Sequence, residues 1–537
     1  MTKSRLKSLN FRKKNLICKY YRKIRDVYSN DILFFILIFF LFSITDVYYN
    51  AKNNQYFKCF YTLIDAYVLS GFTCLILTYT NKSLRKVLNF VIVLFLFLYI
   101  VVNYFSITLT LRPLNNGIIT LLLSTNFNEI IEFIQSYVSI YNVILIIIAF
   151  FLLVKISYRK LQLNNLFLLK ILSVAFIFNL FLLVIHPYSI HETPIGRIYV
   201  IYRDKHVIEL MPNLSLYKNN PEFISSRNEH PENIIVIIGE SFAKTNSSIY
   251  GYHKNTNPLL EKHIKNGDLY IFNKVVAPAS HTMDVFKAIM STFSYNRKDS
   301  AWYKHTTIPV CFNKLGYRTV WISNQNQYGT FDNIPTRYSQ LCDTAIFTKK
   351  KINDNFKDEQ ILNYINETLN EKDFFIFHLM GQHNKYSERY PESFNYFTYN
   401  DYPNLPEHQR ETIAEYDNAT LYNDFVVDSI IKAFSDKESI IFYISDHGQD
   451  LFYSDNKYFG HGITANAKSD SIGRDIPFMV YISPKLKNRI PDLYKKIQSS
   501  IDRKYNTENL IYTLIDISGY KFSNNEDVER YSLFKIN

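Results

Sequence analysis

Four side chains, Glu240, Thr282, Asp446 and His447, carry the chemistry this sequence puts forward most clearly. Glu240 sits in Gly239-Glu240-Ser241, directly after the apolar, β-branched run Asn233–Gly239, and Asp446-His447-Gly448 directly follows a second such run, Ser439–Ser445. Polar residues just beyond strand C-termini are where a parallel α/β sheet builds its sites. A carboxylate leaving one strand and an Asp-His pair leaving another can converge on one metal ion. Oxygen and imidazole donors suit Zn²⁺ first and Mn²⁺ second. Each short motif alone is as well explained by structure; the two in order are what point to a centre.

A nucleophile fits between them. Ala277-Pro278-Ala279-Ser280-His281-Thr282 ends a loop and runs into the helix-like stretch Met283–Met290. A hydroxyl at a helix N-terminus is well placed to lose its proton and to hold a transferred phosphoryl group, although Ser and Thr also serve there simply as caps. Near pH 7 a threonine alkoxide needs metal coordination to form. His383 and His461 lie in loops that the same sheet edge would gather, where they would bind a second metal, donate a proton or stabilise phosphoryl oxygens. His378, at the end of Phe374–His378, reads as a packed strand residue.

The elements that must position these groups follow from hydrophobic patterning. Short apolar runs at Asn233–Gly239, Tyr317–Ser323, Phe374–His378, Ser439–Ser445 and Phe478–Ser483 alternate with helical stretches such as Asp358–Leu369 and Arg410–Phe434. Such alternation over residues 230–537 predicts a mostly parallel sheet covered on both faces. Ahead of it the pattern changes. Apolar stretches near 31–49, 60–80, 88–110, 140–157 and 168–186 are each about the length that crosses a bilayer, which predicts an α-helical, five-span membrane domain over 31–187.

Charge supports one orientation. The formal net charge is +12, and the Lys and Arg residues between positions 3 and 25 face a single acid, Asp26, just before the first apolar run. That is the cytoplasmic flank of a membrane helix, residues 1–30, and not an arm for nucleic acid. Lys82, Arg85 and Lys86, and then Lys155, Arg159 and Lys160, mark two further cytoplasmic loops. Five spans then carry the catalytic region, beyond a linker at 188–229, out of the cytoplasm. Between the third and fourth stretches, 118–138 reads as an amphipathic segment whose residues Thr125, Asn128, Glu129 and Glu132 share a helical face. That face would lie beside lipid head groups or simply in solvent. Cys311 and Cys342 are the only cysteines of the exported region. An oxidising periplasm would allow them a disulfide worth about 3–4 kcal/mol, though spacing alone leaves the pairing open.

The ordered motifs resemble a known family. NIIVIIGES and YGYHKNTNP within Asn233–Pro258, SHT at Ser280–Thr282, HLMGQHNKYSERYP at His378–Pro391, YDNA at Tyr416–Ala419, SDHG at Ser445–Gly448 and GHG at Gly460–Gly462 look like the phosphoethanolamine transferases of Gram-negative envelopes, in the alkaline phosphatase and sulfatase superfamily. The resemblance implies a sulfatase-like α/β catalytic domain in the periplasm behind five spans. It implies that Glu240, Asp446, His447 and Thr282 hold one zinc ion of one or two. Thr282 would take phosphoethanolamine covalently from phosphatidylethanolamine and pass it to a lipopolysaccharide or other envelope glycan, in the lipid A or core region. His383 and His461 match the histidines lining the donor and second-metal region, and Thr125 and Glu129 match positions that contact the donor head group. Leu121 stands where the family often has Asn, and Gln449 where Glu is common. The Trp321–Asn333 stretch is nearer the core-glycan-modifying members than the lipid A ones. A phosphoglycerol transferase of the same superfamily, and an inactive protein that binds lipid or glycan, are the competing readings. Sulfatase activity is not among them, since neither Cys311 nor Cys342 lies in a C/S-x-P-x-R context.

Overall fold

The structure, a computed structural model, describes residues 31–52, 54–78, 80–110, 140–159, 166–185 and 221–534, the last apart from 298–300, 326–333, 350–356, 366–371, 457–458, 462–466 and 524–526. The basic N-terminus, Thr125 and Glu129 with the whole 118–138 segment, and most of the expected linker lie outside the described residues. What is described falls into two compact units, one helical and one α/β.

The helical unit contains α1 (Ile32–Lys52), α2 (Tyr56–Thr78), α3 (Lys82–Thr110), α4 (Ile140–Ser157) and α5 (Leu166–Ile185). Ile38, Leu41, Val68, Leu96 and Phe176 are among the side chains buried between them, while Phe40, Phe57, Phe151 and Phe167 face outward. Large apolar side chains on both inner and outer faces mark helices surrounded by hydrocarbon rather than water. Among the described residues, Ile32–Lys52, Tyr56–Leu77 and Lys82–Ile107 are long and apolar enough to cross a membrane, and Val143–Ser157 and Phe167–Phe176 are shorter apolar stretches. The count of five spans therefore remains an expectation. At one end of α1, Asp31 pairs with Arg85 at the start of α3.

The α/β unit is organised by seven strands: β1 (Asn233–Gly239), β2 (Leu269–Ile271), β3 (Arg318–Ser323), β4 (Thr344–Phe347), β5 (Asp373–His378), β6 (Ser439–Ser445) and β7 (Phe478–Ile482). Their spatial order is β2-β7-β6-β1-β5-β3-β4. From β6 to β4 every pairing is parallel, and β7 runs antiparallel to both β6 and β2. The sheet is thus mixed and largely parallel. Successive residues of β1 alternate between two cores. Ile234, Val236 and Ile238 pack with Phe286, Trp321, Phe374 and Phe442, and Ile235 and Ile237 pack with Phe375, Phe377, Tyr443 and the helix residues Val426 and Ile430. A strand covered on both faces needs no polar side, which is why β1 reads as unbroken apolar sequence. Each Ile or Phe so buried contributes about 1.5–3 kcal/mol.

Two helices matter for the site. α6 (Thr282–Ile289) buries Met283, Val285, Phe286, Ala288 and Ile289 against one face, after His281 turns the chain with φ −144° and ψ 128°. On the other face α7 (Glu407–Phe434) buries Tyr416, Asp417 and Asn418 of the YDNA motif. The expected helix at Asp358–Leu369 is instead a 3₁₀ segment, Asp358–Tyr364, over its described part. Cys311 and Cys342 are both free thiols, so no disulfide joins them.

Candidate active site

β1 lies between β5 and β6, in register with Ile238 opposite His378 and Gly239 opposite Ser445. The three chains therefore leave the sheet side by side. Asp446 N–H donates to Gly239 O (2.9 Å), and Gln382 N–H donates to Glu240 O (2.9 Å), which ties the loop bearing His383 to the Glu240 turn. That turn is sharp: Ser241 has φ +57°, a left-handed conformation uncommon outside glycine. Tyr416 of α7 secures it, donating to Ser241 O at 2.6 Å and accepting from Ala243 N at 2.5 Å. The YDNA motif thus acts from behind the site. Asp417 accepts from Asn246 Nδ2 (2.9 Å), Tyr252 Oη (2.8 Å) and Tyr402 Oη (2.6 Å).

At the centre, Thr282 Oγ1 is 3.1 Å from His447 Nε2 and 3.4 Å from each carboxylate oxygen of Glu240. His447 Nε2 is also 3.2 Å from Glu240 Oε1 and 3.3 Å from Asp446 Oδ2. Its other nitrogen, Nδ1, lies 2.9 Å from Gly448 O. A carbonyl can only accept, so Nδ1 carries a proton, and Nε2 offers a lone pair to a place already lined by carboxylate oxygens once the ring gives up its second proton. Asp446 Oδ1 accepts from Ser241 N (3.1 Å) and His447 N (2.6 Å), whereas Oδ2 is buried with no hydrogen-bond donor. Lone pairs from Glu240, Asp446, His447 and Thr282 facing one another, with one orphaned oxygen, are oxygen and imidazole donors of the kind that suit a zinc ion. Gly448 permits the approach, because a side chain there would meet Ile472 O at 2.8 Å.

Electrostatics agree. Burial opposes charge on Glu240, but His447, then His383 and His461, outweigh it and hold the carboxyl well below the usual range. Burial and the neighbouring Glu240 push Asp446 well above its ordinary value. His447 loses basicity to burial and regains more from Asp446 and Glu240, reaching about 9. The cluster holds protons that a dication would replace.

His461 joins this cluster. Its ring centroid is 4.0 Å from that of His447, and Glu240, His447 and His461 offer ligand atoms within 4.8 Å of one another. Burial, then His447, pushes its pKa well below the ordinary value, so the ring is neutral near pH 7. His383 is close enough to act electrostatically on both Glu240 and His461. His378 is buried in β5 against Phe286 (4.9 Å) and Trp321 (5.9 Å), the packed residue its strand position suggested.

Two residues of the site were not singled out in the sequence. His281 is pushed down to about 4 by burial, in the field of Asp284, His447 and Glu240; nothing in its place before Thr282 in the sequence signals that burial. Asp358 accepts from Met380 N and Gly381 N, both at 2.8 Å, and so shapes the loop that carries His383.

The sulfatase family model matches residues 232–520. The phosphoethanolamine transferase EptC of Escherichia coli (strain K12) is 30% identical over 326 residues, which cover 58% of this chain and 54% of that protein. The chain thus spans about half the length of the curated relatives it matches. The C-terminal periplasmic domain of EptC from Escherichia coli, crystallised in complex with Zn, aligns with a TM-score of 0.53 at 28% identity, covering 59% of this chain and 89% of that one. The integral membrane protein lipooligosaccharide phosphoethanolamine transferase A from Neisseria meningitidis shares the fold, with a TM-score of 0.63 at 18% identity over 93% of this chain and 97% of that one.

Proposed function

The chain belongs to the sulfatase family, and from that premise we propose that it is a zinc-dependent phosphoethanolamine transferase of a bacterial inner membrane, with its α/β domain in the periplasm. Its donor is phosphatidylethanolamine, its acceptor a lipopolysaccharide or other envelope glycan, and its intermediate a phosphothreonine at Thr282. The observation that carries this reading is the position of Thr282 Oγ1, 3.1 Å from His447 Nε2 and 3.4 Å from Glu240, inside a set of converging lone pairs. The printed activity of the relatives supports the choice of group transferred, and the zinc complex of a relative supports the choice of metal.

Glu240, Asp446, His447 and Thr282 would hold the ion, which when bound supplies the positive charge that favours ionised Thr282 and offsets charge on the phosphoryl oxygens. Thr282 Oγ1 attacks the donor phosphorus. An O–P bond forms there, the bond from phosphorus to the glycerol oxygen breaks, and diacylglycerol leaves with a proton. The acceptor oxygen then attacks the same phosphorus, gives up its proton and restores Thr282. The helix dipole of α6, beginning at Thr282, favours the negative charge gathered in both steps. His383 and His461 line the donor side and serve proton transfer, and Thr125 and Glu129 contact the ethanolamine head group. Reducing the negative charge of an exposed glycan would weaken the binding of cationic peptides.

Reconstituted protein given phosphatidylethanolamine labelled in its acyl chains tests the assignment. Zinc-dependent release of labelled diacylglycerol is expected. Release from phosphatidylglycerol alone would make the chain a phosphoglycerol transferase instead.

A further inference from the structure

The two-residue hairpin pairing Asp450 with Gly460 and Leu451 with Phe459 folds residue 449 back onto residue 461. Gln449 is wholly buried there. Its Oε1 lies 2.7 Å from His461 Nδ1, and its Nε2 donates to Tyr386 Oη at 2.5 Å. Tyr386 belongs to the loop after β5 that carries His383, and packs edge-on against Tyr416 at 4.9 Å. One neutral side chain thus joins the β6 exit, the His461 hairpin and the His383 loop.

We propose that Gln449 is a positioning residue that fixes His461 in its Nδ1–H tautomer, so that Nε2 presents a lone pair to the centre and accepts there instead of donating. The argument is one of donors and acceptors. A carbonyl oxygen facing Nδ1 requires a proton on Nδ1, and a neutral imidazole then has none on Nε2. His461 Nε2 is therefore suited to ligate a cation beside Glu240 and His447, or to take a proton from the attacking acceptor. It is unsuited to hydrogen-bond a phosphoryl oxygen. An amide does this without adding negative charge to a place that already holds Glu240 and Asp446. A glutamate at 449 would make the same contact to Nδ1–H but would add that charge. The inference deepens the proposed function and rests on it only for what the site acts on; the tautomer and the metal affinity stand apart from the substrate.

The test uses full-length protein in detergent, labelled with ¹⁵N-histidine and loaded with zinc, as Gln449, Gln449→Leu and Gln449→Glu. Ring-nitrogen shifts should show His461, assigned by its loss in His461→Phe, as the Nδ1–H tautomer in the parent. In Gln449→Leu that signature should become mixed and zinc affinity should fall about 10- to 100-fold, as when outer partners of metal-site histidines are removed. Gln449→Glu should restore the Nδ1–H signature. Turnover in Gln449→Leu should drop in kcat more than in KM. An Nε2–H ring in the parent, or a Leu variant with unchanged tautomer and zinc affinity, would overturn the assignment whatever lipid the enzyme uses.

Discussion

Gly381 stands directly against the backbone of Glu240: a methyl group on its α-carbon would lie 2.7 Å from the Glu240 carbonyl oxygen and 2.8 Å from its amide nitrogen. Its φ of +51° is one that a side chain resists as well. Gly381→Ala should therefore push the Glu240 turn and the His383 loop apart. A stability loss of about 1–3 kcal/mol is expected from strain alone, with turnover falling more than tenfold on the order expected for a misplaced catalytic group. Thermal unfolding read beside steady-state kinetics checks both.

Asp446 separates metal binding from folding within one side chain. Its Oδ1 accepts from two backbone amides, while Oδ2 is orphaned beside His447. Asp446→Asn keeps the first role and ends the second. Zinc affinity should fall at least about 100-fold. The metal-free protein should melt no lower than the parent, because the variant also removes the repulsion from Glu240 that raises the Asp446 pKa. A lower melting temperature without metal would contradict this division of labour.

Zinc affinity should depend on pH through His447. The ordinary value of 6.5 rises to about 9 in the folded chain. Between those values the metal-free folded state holds a proton that the unfolded chain has lost. That contribution to stability is fully present below 6.5 and is lost as pH rises through 9. Zinc must displace the same proton, so its apparent affinity should rise about tenfold per pH unit up to about 9 and then level. Competition with a chromophoric chelator across this range reads the slope, and a flat profile would show that no such proton is displaced.

Tyr416→Phe should act on the site from the far side of the sheet. The hydroxyl satisfies Ser241 O and Ala243 N, both buried. Removing it strands them at a cost of about 1–3 kcal/mol each, visible as a lower melting temperature. Relaxation of the Glu240 turn should weaken zinc as well; unaltered zinc affinity would make Tyr416 a folding residue alone.

How much of this was legible depended on the element. Buried parallel strands leave continuous apolar runs, so β1, β3, β5, β6 and β7 stand out within a residue at either end. β4 is four residues and β2 three, both at sheet edges, too short for any period to show. That β7 runs antiparallel has no signature in its composition, since direction is set by the connection and not the strand. At Asp358–Leu369 the helical pattern misleads because Asp358 is committed to the amides of Met380 and Gly381, and the chain tightens into 3₁₀ turns. In the site, Glu240, Thr282, Asp446 and His447 follow from motif order. Gln449 reads as a departure from a family pattern, and its contact with His461 exists only once the hairpin closes. Cys311 and Cys342 show the converse, a plausible pair that the fold keeps as separate thiols.

The most direct test of the account is the intact mass of the purified protein after incubation with phosphatidylethanolamine and zinc, beside Thr282→Ala. A phosphoethanolamine adduct on the parent and none on the variant is the predicted result. An adduct that persists in Thr282→Ala, or folded and zinc-loaded parent protein that releases diacylglycerol without ever carrying the group, would contradict a covalent phosphothreonine at Thr282.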